Sequence, residues 1–124
     1  MAGNADAHGK NFSLLYRPDV IAFAPLYDLM CTVAYPEIDQ TPAMKIAGGS
    51  DLEEFVPRTR QKFAADTSIG LPFVRRRVKE ICHAAQNRAD DVARSITDQG
   101  FEAKALTRYA GVVRDRAETI AASV

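Results

Sequence analysis

Between Pro72 and Asp98 apolar side chains return every three or four positions: Val74, Val78, Ile81, Cys82, Ala85, Ala89, Val92 and Ile96. That period is the period of an α-helix with one continuous apolar stripe, and such a stripe must be covered by another element. Gly100 ends the run, and a second stripe of Ala103, Leu106, Tyr109, Ala110, Val113, Ala117, Ile120 and Ala121 predicts a helix over Glu102–Ala122. Small residues on both stripes predict close antiparallel packing of the two helices. Upstream, Pro57 suits the first position of a helix, where its missing N–H costs least. Phe63 and Ala64 belong to the buried side of that helix, which reaches a boundary near Gly70-Leu71-Pro72. Asp51 is expected to cap an earlier turn with Leu52, Phe55 and Val56 on its apolar side. Residues 51–122 therefore read as helical scaffold, and the fold class as mainly α.

The first fifty residues follow other rules. Met1 to Lys10 is small, polar and aperiodic, and reads as loop. Phe12–Tyr16 and Val20–Ala24 are rich in strand formers, with Arg17-Pro18-Asp19 between them as a turn, so a β-hairpin is predicted. Pro25 stops the second strand, leaving Leu26-Tyr27-Asp28 as a turn. Asp28 precedes Leu29–Tyr35, where a short helix limited by Pro36 would make Asp28 its N-cap. Ala43–Ala47 reads as one more short strand, bounded by Pro42 and by Gly48-Gly49-Ser50.

Bulk properties mainly exclude. Of 124 residues, sixteen are Lys or Arg and sixteen Asp or Glu, so net charge gives no support to nucleic-acid or anionic-membrane binding. Arg75-Arg76-Arg77 with Lys79 is a concentrated basic run, expected to be a solvated helix face, with phosphate contact as the lesser reading. Cys31 and Cys82 form no ligand-spaced cluster, and the free thiols suit a reducing, cytoplasmic setting. No apolar run is long enough to span a bilayer, and no membrane role is expected.

Chemistry concentrates at the start. Asp6 and Asn11 have the D-x-x-x-x-N spacing in which a phosphotransferase loop places a base and a magnesium ligand. Asp28 stands beyond the hairpin, where a second magnesium ligand is wanted. His8, two residues from Asp6, has an alternative reading as half of a D-x-H metal pair, but one histidine and one aspartate fall short of the protein ligands of a zinc centre. Lys10 is read either as a counter-charge for phosphate or for Asp6, or as a solvent-exposed lysine.

Asn4-Ala5-Asp6-Ala7-His8-Gly9-Lys10-Asn11-Phe12-Ser13-Leu14, followed by Leu26-Tyr27-Asp28, closely resembles the C-terminal lobe of HipA-type serine/threonine kinases, the toxins of toxin–antitoxin pairs. The resemblance continues through Tyr35-Pro36 and Ala43-Met44-Lys45-Ile46 and spans the whole chain. It implies a kinase C-lobe-like domain over 1–124, with the catalytic loop at 1–11, the hairpin and metal-binding Asp at 12–28, and long antiparallel helices at the C-terminal end. Asp6 would be the catalytic aspartate, Lys10 its charged neighbour, and Asn11 and Asp28 the ligands of Mg2+ and, through it, of ATP. His8 would prop the loop and Phe12 would anchor it in the core. Leu29-Met30 replaces the Phe-Gly of the usual Asp-Phe-Gly, so the usual activation switch is not implied.

A kinase also needs a phosphate-covering loop, a nucleotide-binding lysine with an acidic partner, and an adenine pocket. The expectation is therefore an incomplete kinase, inactive alone and without bound cofactor, whose partners are the missing N-terminal lobe, a helix-turn-helix antitoxin that carries any contact with DNA, and a protein substrate. The rival reading is a non-enzymatic helical interaction module retaining a remnant catalytic loop; a third is a small nucleic-acid-binding domain using Arg75 to Lys79.

Overall fold

A computed structural model describes residues 3–49 and 57–124. After a 3-10 turn at Gly9–Asn11 come strands β1 (Leu14–Arg17) and β2 (Val20–Phe23), a second 3-10 turn at Thr32–Ala34, and helices α1 (Pro57–Thr67), α2 (Leu71–Thr97) and α3 (Ala103–Ala122). The fold is mainly α with a small N-terminal hairpin and long C-terminal helices, as the two periodicities require. The expected cap at Asp51 and its apolar partners Leu52, Phe55 and Val56 lie outside the described residues.

α2 and α3 run antiparallel across a short link in which Gly100 takes a left-handed backbone (φ 97°) open to glycine at no steric cost. Their seam is built from small groups: Cys82 on α2 and Ala117 on α3 are both fully buried, with Ala110 nearly so. One interhelical ion pair, Arg114 to Asp90 at 2.7 Å, is exposed, and such pairs contribute at most about 1 kcal/mol. The expected stripe on α2 is not buried along its whole length. Ile81 and Val92 remain 48% and 47% exposed and line an apolar groove between α2 and α3, because only α3 covers that side among the described residues.

α1 begins at Pro57 as expected, and its end is marked by Ser68 in the left-handed region (φ 57°). Ala64 packs inward, while Phe63 is half-buried. Sequence reasoning missed Arg60, 2% exposed, whose guanidinium donates to the Ser123 hydroxyl at 3.1 Å and to the Ser123 carbonyl. These bonds tie α1 to the end of α3. The basic run is a solvated face: Arg76 and Arg77 both reach Glu80, and all four basic side chains are exposed. Burial pushes the Cys31 and Cys82 thiols up, so both are protonated at neutral pH and neither is a ready nucleophile.

The hairpin is antiparallel with Leu14 opposite Phe23, Leu15 opposite Ala22, Tyr16 opposite Ile21 and Arg17 opposite Val20. Arg17 thus belongs to the ladder, and the loop shrinks to Pro18-Asp19. Leu14, Tyr16, Ile21 and Phe23 share one face, and all four are exposed. Phe12, expected to anchor the loop in the core, is 52% exposed. The reason is geometric: Phe12 leaves the 3-10 turn in extended conformation toward a ribbon on which no described helix packs.

Two further expectations are corrected. Leu29–Tyr35 forms only the single 3-10 turn Thr32–Ala34, flanked by Cys31, and Asp28 is not its cap. Asp28 has a left-handed backbone (φ 56°), incompatible with the extended geometry an N-cap takes, and its carboxylate is engaged elsewhere. Ala43–Ala47 is not a strand. Ile46 and Gly49 make an isolated bridge around a tight turn in which Ala47 and Gly48 are both left-handed (φ 53° and 83°).

Because Ala117 is fully buried in the seam, Ala117→Leu is expected to destabilise the chain by about 1–3 kcal/mol in urea unfolding, the usual range for overpacking. The same change at exposed Ala84 should stay within about 0.5 kcal/mol.

Candidate functional site

The site is assembled by main-chain and amide hydrogen bonds that join the start of the chain to the return of the hairpin. Asn11, buried within the Gly9–Asn11 turn, uses both ends of its amide. Its Oδ1 accepts the His8 N–H at 2.8 Å, which closes the loop on itself. Its Nδ2 donates to Asp28 Oδ2 at 2.9 Å, across 17 positions of sequence. The hairpin makes that meeting possible, since its two strands carry the chain out from Asn11 and back to Asp28.

Asn4 makes a second tie of the same kind. Its Nδ2 donates to the Asp28 carbonyl at 3.2 Å, and its Oδ1 accepts the Asp6 N–H at 3.0 Å. Asp6 and Asp28 are therefore linked through one asparagine side chain, and Asn11 and Asp28 through another. Tyr27 pins the end of the loop, its hydroxyl donating to the Lys10 carbonyl at 2.5 Å and meeting Ser13 Oγ at 2.9 Å.

Asp6, Asn11 and Asp28 are thus gathered at one edge of the domain. The Asp6 carboxylate is exposed and has no hydrogen-bond or ion-pair partner among the described residues, as is also true of the Lys10 ammonium. No Lys10–Asp6 ion pair is formed. His8 supports the loop by its main chain: its N–H binds the Asn11 side chain and its carbonyl accepts the Asn11 N–H at 3.0 Å. The ring Nδ1 is buried without a partner among the described residues. Phe12 lies at the rim of a shallow recess shared with Asn11, Ser13, Phe23, Ala24 and Leu26.

Asp28 Oδ1 has no partner among the described residues, and Asn11 Oδ1 has a second lone pair beyond the one used by His8. Two oxygens of this kind suit a hard cation that keeps waters and takes its other ligands from phosphate, as magnesium does. They do not make a closed cage. Among the described residues no three His, Cys, Asp or Glu side chains group as a metal site, so the Asp6–His8 pair lacks further protein ligands for zinc.

Sequence reasoning missed the residues that hold this edge to the helices. Thr32 is 3% exposed and bonds the loop at Gly3 and Ala5, while Gln40 Nε2 donates to the carbonyls of Thr32, Tyr35 and Ile38 at 3.0–3.1 Å. The Tyr35 hydroxyl is hydrogen-bonded to that of Tyr109 on α3, and Arg108 lies over both rings at 5.0 and 5.3 Å from their centroids. The bond to Tyr109 holds the Tyr35 phenol above its ordinary pKa. Contacts between residues 74 positions apart leave no periodic signal; Tyr35 directly before Pro36 was the available hint.

The elements define a mainly helical domain whose hairpin brings a loop asparagine and a turn aspartate into one polar edge. Residues 1–93 match the family model described as the HipA-like C-terminal domain, and the chain belongs to that family. It is 37% identical over all 124 residues to the "Putative kinase Y4mE" of Sinorhizobium fredii, spanning 30% of that protein. It is also 37% identical over 75 residues, 58% of this chain and 16% of the relative, to the "Serine/threonine-protein kinase toxin HipA" of Shewanella oneidensis. No solved structure matches the chain. No helix among the described residues is long and apolar enough to cross a membrane.

If Asp28 is both a structural acceptor and a cation ligand, Asp28→Asn separates the two. It keeps an oxygen for Asn11 and tolerates the left-handed backbone, so stability should fall by only about 1 kcal/mol, the difference between a charged and a neutral acceptor. Binding of Mn2+, followed by its paramagnetic relaxation, should weaken by about tenfold or more, since a charged ligand is lost. Unchanged binding would remove Asp28 from the cation site.

Proposed function

We propose that this domain supplies the catalytic loop and the metal-binding residues of a HipA-like serine/threonine kinase, which passes the ATP γ-phosphate to a protein hydroxyl. The observation that carries the reading is the Asn11–Asp28 hydrogen bond at 2.9 Å. It unites the two positions that a phosphotransferase reserves for magnesium, on the same edge as Asp6. In this reading Asp6 orients the attacking hydroxyl and accepts its proton, consistent with a carboxylate left free by its neighbours. Asn11 and Asp28 hold Mg2+ and, through it, the nucleotide. Mg2+ held there would supply positive charge for the transferring phosphoryl group. Lys10 adds a mobile positive charge beside the transferring group, and the main chain of His8 fixes the loop. Phe12 packs at the recess beside Asn11.

The covering half of the site is assigned to a separate N-terminal lobe. Among the described residues no glycine-rich loop follows the G-x-x-x-x-G-K order, and no lysine–glutamate pair faces the Asp6–Asp28 edge. The matched relatives are several times longer than the stretch they share with this chain. Their printed descriptions as a putative kinase and a kinase toxin support extending the reading to a toxin–antitoxin setting in the cytoplasm. There a helix-turn-helix antitoxin would make any DNA contact, and a protein would be the phosphate acceptor.

The test is transfer of labelled γ-phosphate in the presence of Mg2+. The 124-residue chain alone is expected to transfer none, whereas a polypeptide joining it to an N-terminal kinase lobe should transfer, and Asp6→Ala should reduce that rate by about 10²–10⁴-fold. Transfer by the isolated chain that vanishes with Asp6→Ala would overturn the division between lobes. Transfer by the longer polypeptide that survives Asp6→Ala would remove Asp6 from the reaction.

A further inference from the structure

We propose that Thr32 is a positioning residue for Asp6, acting through the main chain of Gly3 and Ala5. Its side chain is buried, and its hydroxyl is used in both directions. Oγ1 accepts the Ala5 N–H at 2.8 Å and donates to the Gly3 carbonyl at 2.7 Å. Both bonds are buried and span 27 and 29 positions of sequence, so they are tertiary rather than local. The Val33 N–H adds a third bond to the Gly3 carbonyl at 3.2 Å, and the Ala5 carbonyl accepts the Ala43 N–H at 2.7 Å. The residue beside Asp6 is thereby held on both its main-chain polar groups.

Gly3 shows how closely the loop is pressed onto the Thr32–Ala34 turn. Its backbone is left-handed (φ 67°), and a Cβ there would lie 2.4 Å from Val33 Cγ2. The turn itself is fixed from the other side. Gln40 donates to the carbonyls of Thr32 and Tyr35, the Asp39 carboxylate holds the Thr41 N–H at 2.9 Å beside Gln40, and the Tyr35 hydroxyl is bonded to that of Tyr109 on α3. Thr32 is thus the point at which a platform attached to α3 grips the segment leading into Asp6. Removing the hydroxyl would leave the buried Ala5 N–H without its acceptor, and a buried amide does not tolerate that without moving.

The catalytic meaning of Thr32 rests on the role proposed above for Asp6; its mechanical role does not. The test compares the 15N-labelled 124-residue chain with Thr32→Val, which removes the hydroxyl at nearly constant shape, and Thr32→Ser, which keeps it. Amide exchange reads Ala5, and broadening by added Mn2+ reads Asp6, Asn11 and Asp28. In Thr32→Val, Ala5 should exchange about tenfold faster or more, and the Mn2+ effect at Asp6 should fall relative to that at Asp28. Amides of α2 and α3 should be unchanged, and Thr32→Ser should restore both readouts. An unaltered Ala5 in Thr32→Val would overturn the proposal, as would an equal loss of protection throughout α2 and α3 that serine fails to rescue. If Mn2+ broadens none of the three residues in the parent chain, the metal reading of Asn11 and Asp28 fails, while Ala5 exchange still decides the claim for Thr32.

Discussion

The edge of this domain depends on one amide, that of Asn11, which uses both its oxygen and its nitrogen in the fold. Its oxygen closes the loop through the His8 N–H and its nitrogen reaches the Asp28 carboxylate. A hydrogen bond to a charged acceptor is worth roughly 1.5–3 kcal/mol, enough to offset part of the cost of holding Asp28 in a left-handed backbone. The hairpin serves that contact. With no described helix packed on either face, β1 and β2 act as a two-rail return that sets where Asp28 arrives.

The helices hold this edge without forming it. α2 and α3 make a seam of small residues, α1 is latched to the end of α3 by Arg60, and α3 presents Tyr109 to Tyr35. From Tyr35 the path runs through the Thr32–Ala34 turn to Gly3 and Ala5, and so to Asp6. The Tyr35–Tyr109, Thr32–Gly3 and Thr32–Ala5 links are hydrogen bonds between segments far apart in sequence. The loop at the start of the chain therefore owes its order to the last helix, although the two share no secondary structure.

This division explains which parts were legible in the sequence. Helix positions were legible because the apolar period, Pro57 and Gly100 are local signals, and the hairpin because Pro18-Asp19 separates two runs of strand formers. Asp6, Asn11 and Asp28 stood out by the D-x-x-x-x-N spacing and the family resemblance, and the Asn11–Asp28 hydrogen bond shows that two of them meet in the fold. The alternative reading of Asp28 as a helix cap fails because the sequence carries no sign of its left-handed backbone, and the strand at Ala43–Ala47 fails because β-propensity yields when no partner strand exists. Phe12, Ile81 and Val92 were expected to be covered because hydrophobicity marks a surface that wants a partner without saying where the partner lies. Thr32 and Gln40 left no trace, since a polar residue that bonds a distant main chain has no pattern to repeat.

The central claim is that Asn11 and Asp28 form one coupled unit, and a double-mutant cycle in urea unfolding tests it most directly. Asn11→Ala, Asp28→Ala and the double variant should reveal a coupling energy of about 1 kcal/mol or more, as residues in direct contact do. Additivity within about 0.3 kcal/mol would contradict the account, because the two residues would then be neighbours without being a unit.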